Sequence, residues 1–411
     1  MLAMFSALHG FAASAGAIGH VIHVSVDGLR SDVITFLGPT NLPNFYRMRT
    51  EGAFTDNARP DYDYTITLPN HVTQLTGRRV SGTAGHRWTL NSDPPAGATL
   101  ASTNGSYVAG AFDVAHDHGL RTGEYASKSK FSLFDTSWNA INGALDATGE
   151  DNGRDKIDIY VNTSDTAVLV NTLAANMRTQ ALHYAFVHLT DPDTTGHDQG
   201  WFVTNGSPYC NTIKTMDSRL GVIFSLITTN TQLAGRTAIL LTADHGGYLK
   251  DHSNATLPED YTIPFYVWGP GVMAGAPLYV INPTNRLAPG TGRPTYSAPV
   301  QPIRNGEAAN VSLNLLGLPA VPGSTIGQTQ DLALTVSPPT DFCLRSVSSP
   351  AVLTFSTVSK ILYDVQARDD LSSGSWVNVA TNIVGTGGVV TNTDPAASTL
   401  TQRFYRLRLH F

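Results

Sequence analysis

The run HVIHVSV, residues 20 to 26, is largely apolar, rich in Val and Ile, and closed by Asp27 and Gly28. A short Val/Ile-rich run of this kind must be covered on both sides, which predicts a buried parallel strand. TGEYAS, HYAFVHL, TAILLTA and IPFYVWG repeat the pattern. Between them lie segments with helical spacing of apolar residues. NLPNFYRMRTEG has Asn41 as cap and Gly52 as stop, and it is followed by LPNHVTQLTG, SYVAGAFDVAHDHG, DTAVLVNTLAANMRTQ, SPYCNTIKTMDSRLGVIFSLI and EAANVSLNLLGL. Alternation of this type predicts an α/β fold, an open and mostly parallel sheet with helices on both faces. In such sheets ligands bind at the carboxyl ends of the strands.

The 411 residues exceed the usual size of one domain. Composition changes near residue 338, where SPPTDF reads as a linker. AVLTFST, ILYDVQA, SWVNVAT, GVVTNT and QRFYRLRLHF then follow as short β-prone runs. Residues 338–411 are therefore expected to form a small all-β sandwich, and residues 18–337 the main domain. The sandwich resembles the fibronectin-III-like or immunoglobulin-like modules appended to secreted bacterial enzymes, which implies binding to a surface or polymer. The apolar stretch from Leu2 to Phe11 and the small residues Ala13-Ser14-Ala15 read as a signal peptide over residues 1–17. A loosely ordered arm is the plain alternative. Export would place the protein outside the cell, in the periplasm or on the cell surface. No later apolar run reaches the ~18 residues that a membrane helix requires. Cys210 and Cys343 leave open one disulfide or two separate thiols. The net charge of −6 comes without a basic stripe, so nucleic acid is not an expected partner.

Four segments carry candidate chemistry. VSVDGLRSD sets Asp27 directly after a strand, with Asp32 expected as a surface acid or cap. TITLPNHVTQLTG sets Thr67 as the cap of a short helix with Pro69 in its first turn. A hydroxyl there meets the positive end of the helix dipole; an ordinary N-cap threonine is the plain alternative, and Thr65 is its nearest rival. HLTDPDTTGHDQGW sets Asp193 and His197 four residues apart in what reads as a turn-rich loop, with Asp191 and Asp198 as alternatives and His188 packed or behind the ligands. LLTADHGGYLKDH sets Asp244 and His245 after a strand, with His252 seven residues later. Mixed imidazole and carboxylate donors favour zinc, and seven candidate donors are too many for one tetrahedral ion. Two Zn2+ with three carboxylates leave the site net positive, which attracts a phosphate into an acidic protein. Manganese and iron remain open.

VDGLR, LPNFYRMRTEGAF, TLPNHVTQLTG, DPDTTGH, TADHGG, YTIPFYVWGPG and VSLNLLGLPAVPGST together resemble the alkaline phosphatase superfamily, especially its type I phosphodiesterase and nucleotide pyrophosphatase branch. The resemblance implies a phosphoric-ester hydrolase acting on a small phosphate ester. It implies that Thr67 is the nucleophile and that Asp27, Thr67, Asp244 and His245 hold one zinc. Asp193, His197 and a third histidine would hold the other. Family members often place that histidine further downstream; here only His410 follows His252, and His252 is the residue chosen. Asn91 matches the family asparagine that binds a phosphoryl oxygen, across an insertion. Lys128 and Lys130 in SKSKFSLFDTSW match a pair with which phosphate-monoesterase relatives grip the extra charge; a solvated basic loop is the alternative. Tyr64, Trp88, Phe131 and Trp201 stack on a base or aryl group, or simply pack. A sulfatase of the same superfamily is the competing enzyme reading, although those enzymes typically use a modified Cys or Ser and one calcium. A non-catalytic cell-surface binding protein is the other alternative.

Overall fold

A computed structural model describes residues 18–148, 153–337, 339–346, 350–400 and 402–411. The signal-peptide expectation for residues 1–17 lies outside these. The strands of the main sheet are β1 (His20–Val26), β2 (Ala53–Ala58), β3 (Thr122–Ala126), β4 (Ile159–Asn162), β5 (Tyr184–Leu189), β6 (Thr237–Thr242), β7 (Ile263–Trp268) and β8 (Ala276–Pro277). They run in the order β4-β3-β5-β1-β6-β7-β2-β8. β4, β3, β5, β1 and β6 are mutually parallel, while β7 lies antiparallel to β6 and to β2. β1 is central and every one of its residues is buried. A strand covered on both faces has no use for polar alternation, which accounts for its composition.

One helical layer contains Thr67–Thr76, Ala111–Asp117 and Glu307–Leu315. Its core joins Leu68, Val72, Phe112 and Leu313 to Phe186 of the sheet. The other contains Pro43–Glu51, Thr166–Thr179 and the long helix Pro208–Thr229. Asn41 does not cap the helix that follows it. It ends a separate helix, Ser31–Asn41, and Pro43 starts the next one with Leu42 as cap. Ser31–Asn41 escapes a periodicity reading because Gly38 and Pro39 break it, Gly38 having a φ of +71°. No helix among the described residues is long and apolar enough to cross a membrane.

The chain forms two compact units. The larger runs through Val272 and resumes over Pro277–Leu334; the smaller includes Met273–Ala276 and Thr335–Phe411. The smaller unit holds β9 (Cys343–Ser346), β10 (Ala351–Ser356), β11 (Leu362–Arg368), β12 (Val377–Val384), β13 (Val389–Asp394) and β14 (Phe404–His410). They form two antiparallel sheets, β13-β10-β9 and β12-β11-β14, around Leu353, Phe355, Ile361, Tyr363 and Val365. Alternation in β11 sends Tyr363 and Val365 inward. Cys210 and Cys343 are free thiols.

Candidate active site

β1 delivers Asp27 at its carboxyl end, β6 delivers Asp244 and His245, and β5 leads into the helix Asp191–Gln199. This helix replaces the loop expected for DPDTTGH. Pro192 in its first turn and two early acids favour its start, and helical geometry puts Asp193 and His197 on one face. Gly28 lets these elements meet. It has a φ of +70°, and its N–H donates to Asp244 Oδ1 at 3.1 Å. A Cβ there would lie 3.0 Å from Asp193 Cα. The Gly28 carbonyl accepts from Trp201 Nε1 at 2.9 Å and from the Tyr209 hydroxyl at 2.8 Å.

Backbone carbonyls fix the tautomers of three histidines. His197 Nδ1 lies 3.1 Å from the Lys250 carbonyl, His245 Nδ1 2.8 Å from that of Gly246, and His252 Nδ1 2.7 Å from that of Thr65. A carbonyl only accepts, so each Nδ1 carries the proton and each Nε2 presents a lone pair. Burial holds His245 and His252 below the usual histidine range, so both are neutral. The Nε2 atoms of His197 and His252 are 3.2 Å apart, and Asp193 Oδ1 lies 3.4 and 3.5 Å from them. His245 Nε2 is 3.4 Å from Asp27 Oδ1, 3.1 Å from Asp244 Oδ2 and 3.4 Å from Thr67 Oγ1.

Two donor groups result, Asp27-Asp244-His245 and Asp193-His245-His252, each with its ligand atoms within 4.8 Å of one another. His197 joins the second at the mouth of the site. Asp27 Oδ1, Asp193 Oδ1 and Asp244 Oδ2 are buried without a hydrogen-bond partner, and each is the oxygen that faces these imidazoles. An unpaired buried acceptor costs about 1–3 kcal/mol, more when charged. Bound cations would satisfy all three, so the residues fit a metal centre. Burial opposes ionisation of Asp27, but the Lys128 ammonium and the hydrogen bond from His188 outweigh it and hold the carboxyl well below its ordinary range. Burial and then the Asp27 charge push Asp244 well above its own.

Thr67 is the first residue of its helix rather than the cap, which is Ile66. Its carbonyl accepts from His71 Nδ1 at 2.8 Å, and His71 Nε2 in turn meets Ser25 Oγ at 2.9 Å. Thr65 Oγ1 donates to the His252 carbonyl at 2.6 Å, so the rival threonine anchors His252. His188 Nε2 donates to Asp27 Oδ2 at 3.0 Å, leaving Asp27 Oδ1 to face the imidazoles. Asn91 Oδ1 accepts from the Leu68 N–H at 2.9 Å, which brings its amide beside Thr67. Lys130 Nζ reaches the Asn91 carbonyl at 2.5 Å and its side-chain oxygen at 3.2 Å. Lys128 Nζ bonds Asp27 and Asp193 and is not a freely solvated surface charge. Trp88, Phe131 and Trp201 are buried and pack; Tyr64 is half-buried. Asp32 pairs with Arg30 at the surface, and Asp198 is exposed.

Residues 21–261 match the family described as type I phosphodiesterase / nucleotide pyrophosphatase. No curated protein sequence matches the chain. Murine ectonucleotide pyrophosphatase / phosphodiesterase 5 is a similar solved structure, with a TM-score of 0.50 and 15% identity over 76% of this chain and 99% of that one. A 2-O GAG sulfatase is another, with a TM-score of 0.51 and 10% identity over 82% of this chain and 80% of that one. At such identities the structures establish the fold, which is alkaline-phosphatase-like. The family match covers more than half of the sequence and includes the Asp27, Thr67, Asp193 and Asp244 segments, so this chain belongs to the type I phosphodiesterase / nucleotide pyrophosphatase family, a family of phosphoric-ester hydrolases.

Proposed function

We propose that the protein is a zinc-dependent phosphoric-ester hydrolase in which Thr67 is the nucleophile and two ions occupy the paired donor groups. The observation that carries this reading is the set of three unpartnered carboxylate oxygens facing the Nε2 lone pairs of His197, His245 and His252, with Thr67 Oγ1 3.4 Å from His245 Nε2. Asp27, Thr67, Asp244 and His245 form one site, and Asp193, His197 and His252 the other. Manganese or iron would use the same donors. Metal ions here would lower the pKa of the Thr67 hydroxyl and offset charge on the phosphoryl oxygens.

Thr67 Oγ1 gives up its proton to solvent and attacks phosphorus; the new O–P bond forms in line as the bond to the leaving oxygen breaks, and that alcohol or phosphate oxygen takes up a proton. Water then cleaves the phosphothreonine and restores the hydroxyl. The Asn91 amide and the first N–H groups of the Thr67–Thr76 helix donate to the phosphoryl oxygens as charge builds. Lys130, already at Asn91, adds a cation at that edge, and Lys128, the other lysine of the pair, bonds Asp27 and Asp193.

The test compares p-nitrophenyl phosphate with bis-p-nitrophenyl phosphate, with added zinc, for wild type and Thr67→Ala. Loss of nearly all turnover in Thr67→Ala is the expected result. Faster monoester cleavage makes the enzyme a phosphatase, and faster diester cleavage a phosphodiesterase. Equal activity of the two proteins sinks the nucleophile assignment, and cleavage of an aryl sulfate alone moves the sulfatase reading forward. We further propose a division into a catalytic domain of residues 18–337 and a module of residues 338–411 on an exported protein. Arg406 and Arg408 are exposed on one face of β14, and the Arg406 guanidinium lies 4.5 Å from the centre of the Trp376 ring. That supports binding of the module to a surface or polymer, testable by cosedimentation of the full chain with insoluble polysaccharides.

A further inference from the structure

Lys128 Nζ lies 2.6 Å from Asp27 Oδ2 and 2.6 Å from Asp193 Oδ2. The two carboxylates come from different strand ends and belong to different donor groups. In both, the second oxygen, Oδ1, has no partner and is the one that faces the imidazoles. One oxygen of each acid is thus tied to the ammonium, and the other is left for an ion.

The lysine is itself held in place. Its side chain is 19% exposed, and its carbonyl accepts from Asn162 Nδ2 at 2.8 Å. Phe131, three residues on, is fully buried and stacks on Phe186 of β5. The ammonium therefore comes from a β3-linked turn anchored in the core, and spans from the end of β1 to the helix that follows β5. Lys130 makes a different set of contacts, both to Asn91.

We infer that Lys128 is a positioning residue of the metal centre: an ammonium bridge that sets the spacing of the two donor groups and makes Asp27 and Asp193 each offer one oxygen. A carboxylate with one oxygen already bonded to a cation cannot turn to chelate through both. Without the bridge, Asp27 and Asp193 repel each other across a buried gap, Asp193 is free to rotate, and only His188 Nε2 still holds Asp27 Oδ2. Partners behind metal ligands typically change affinity by about 10–100-fold when removed. The inference rests on the two-metal reading above, and its test has a readout that does not depend on activity.

The experiment titrates the full-length chain with Zn2+ against a chromophoric chelator, for wild type, Lys128→Met, Lys128→Gln and Lys128→Arg. Monoester and diester kcat/KM are measured alongside. Wild type is expected to bind two ions. Lys128→Met should bind at least one of them about 10-fold more weakly or worse. Monoester and diester turnover should fall by a common factor, and Lys128→Arg, which keeps a bidentate cation, should recover zinc affinity. If Lys128→Met does not fold, the contrast between Lys128→Gln and Lys128→Arg carries the test, and equal affinities of those two overturn the bridge. Unchanged or tighter zinc binding in Lys128→Met also overturns it. So does a loss confined to the monoester, which assigns the ammonium to substrate. Uptake of one ion by wild type overturns the two-metal reading itself, whereas uptake of two with Lys128→Met unaffected overturns the bridge alone.

Discussion

Thr65 and His252, 187 residues apart, bind each other through two reciprocal hydrogen bonds: Thr65 Oγ1 donates to the His252 carbonyl at 2.6 Å, and His252 Nδ1 donates to the Thr65 carbonyl at 2.7 Å. The pair ties the chain just before Thr67 to His252 of the proposed metal centre, and it fixes the tautomer that leaves His252 Nε2 available. Thr65→Val keeps the shape and removes the hydroxyl. The backbone bond that sets the tautomer survives, but the His252 carbonyl loses its buried donor. Zinc affinity should fall by about 10-fold, with turnover recovered at high zinc. Activity plotted against free zinc checks this; a lower plateau with an unshifted midpoint would contradict it.

Metal should also stabilise the fold. Asp27, Asp193 and Asp244 bury oxygens that have no hydrogen-bond partner and that a bound cation would satisfy, and an ion that binds the folded chain alone shifts the equilibrium by mass action. At a free concentration of 100 times Kd that amounts to about 2.7 kcal/mol per site. A chelator should lower the unfolding temperature and zinc should restore it. Asp244→Asn, which retains its donor chemistry only in part, should reduce the zinc-dependent increment. An unfolding temperature indifferent to both zinc and chelator would contradict the metal assignment.

Much of this site was legible in local sequence because strand ends announce themselves. Asp27, Asp244 and His245 each follow an all-buried strand, and the rule that ligands gather at carboxyl ends locates them without coordinates. DPDTTGH was harder: its helix is polar and short, so periodicity carries no signal, and only Pro192 and the early acids mark its start. Residues that act through long-range contacts gave no local sign. Thr65 resembles any loop threonine until His252 arrives beside it, and Lys128 resembles a solvated lysine until β1 and β5 bring two carboxylates to it. β9, four residues long, and the helix interrupted at Gly38 were too short or too broken to read.

Asp260 predicts a pH dependence distinct from that of the proposed metal ligands. Burial pushes its carboxyl up to about 7, and Oδ1 has no partner. Its backbone carbonyl accepts from the Gly246 N–H at 2.8 Å, next to His245. A carboxyl raised in the folded state keeps a proton that the unfolded chain has released above its ordinary pKa of about 3.9. The unfolded chain then binds fewer protons, so stability falls as pH rises from about 4 to about 7 and is flat beyond. Asp260→Asn removes that term. Denaturant unfolding at pH 4, 6 and 8 should show the variant gaining on wild type across the window and exceeding it at pH 8. A constant difference between the two at all three values would contradict the shift.

Gly28 tests the packing on which the whole site depends. With a φ of +70°, the position costs a non-glycine residue about 1–2 kcal/mol from backbone strain alone. An added Cβ would also stand 3.0 Å from the Cα and 3.2 Å from the backbone nitrogen of Asp193, neither of which can rotate away. Relief must come from moving the start of the Asp191–Gln199 helix away from β1. That movement would draw Asp193 away from Lys128 and His252 while leaving Asp27, Asp244 and His245 together. Gly28→Ala should therefore do more than lower the unfolding temperature. Assayed well below that temperature, it should bind zinc more weakly at the Asp193 group than at the Asp27 group, and turnover should fall with the loss of the second ion. Wild-type turnover in a merely less stable Gly28→Ala would show that the two strand ends need not approach this closely, and that Gly28 serves only its own turn.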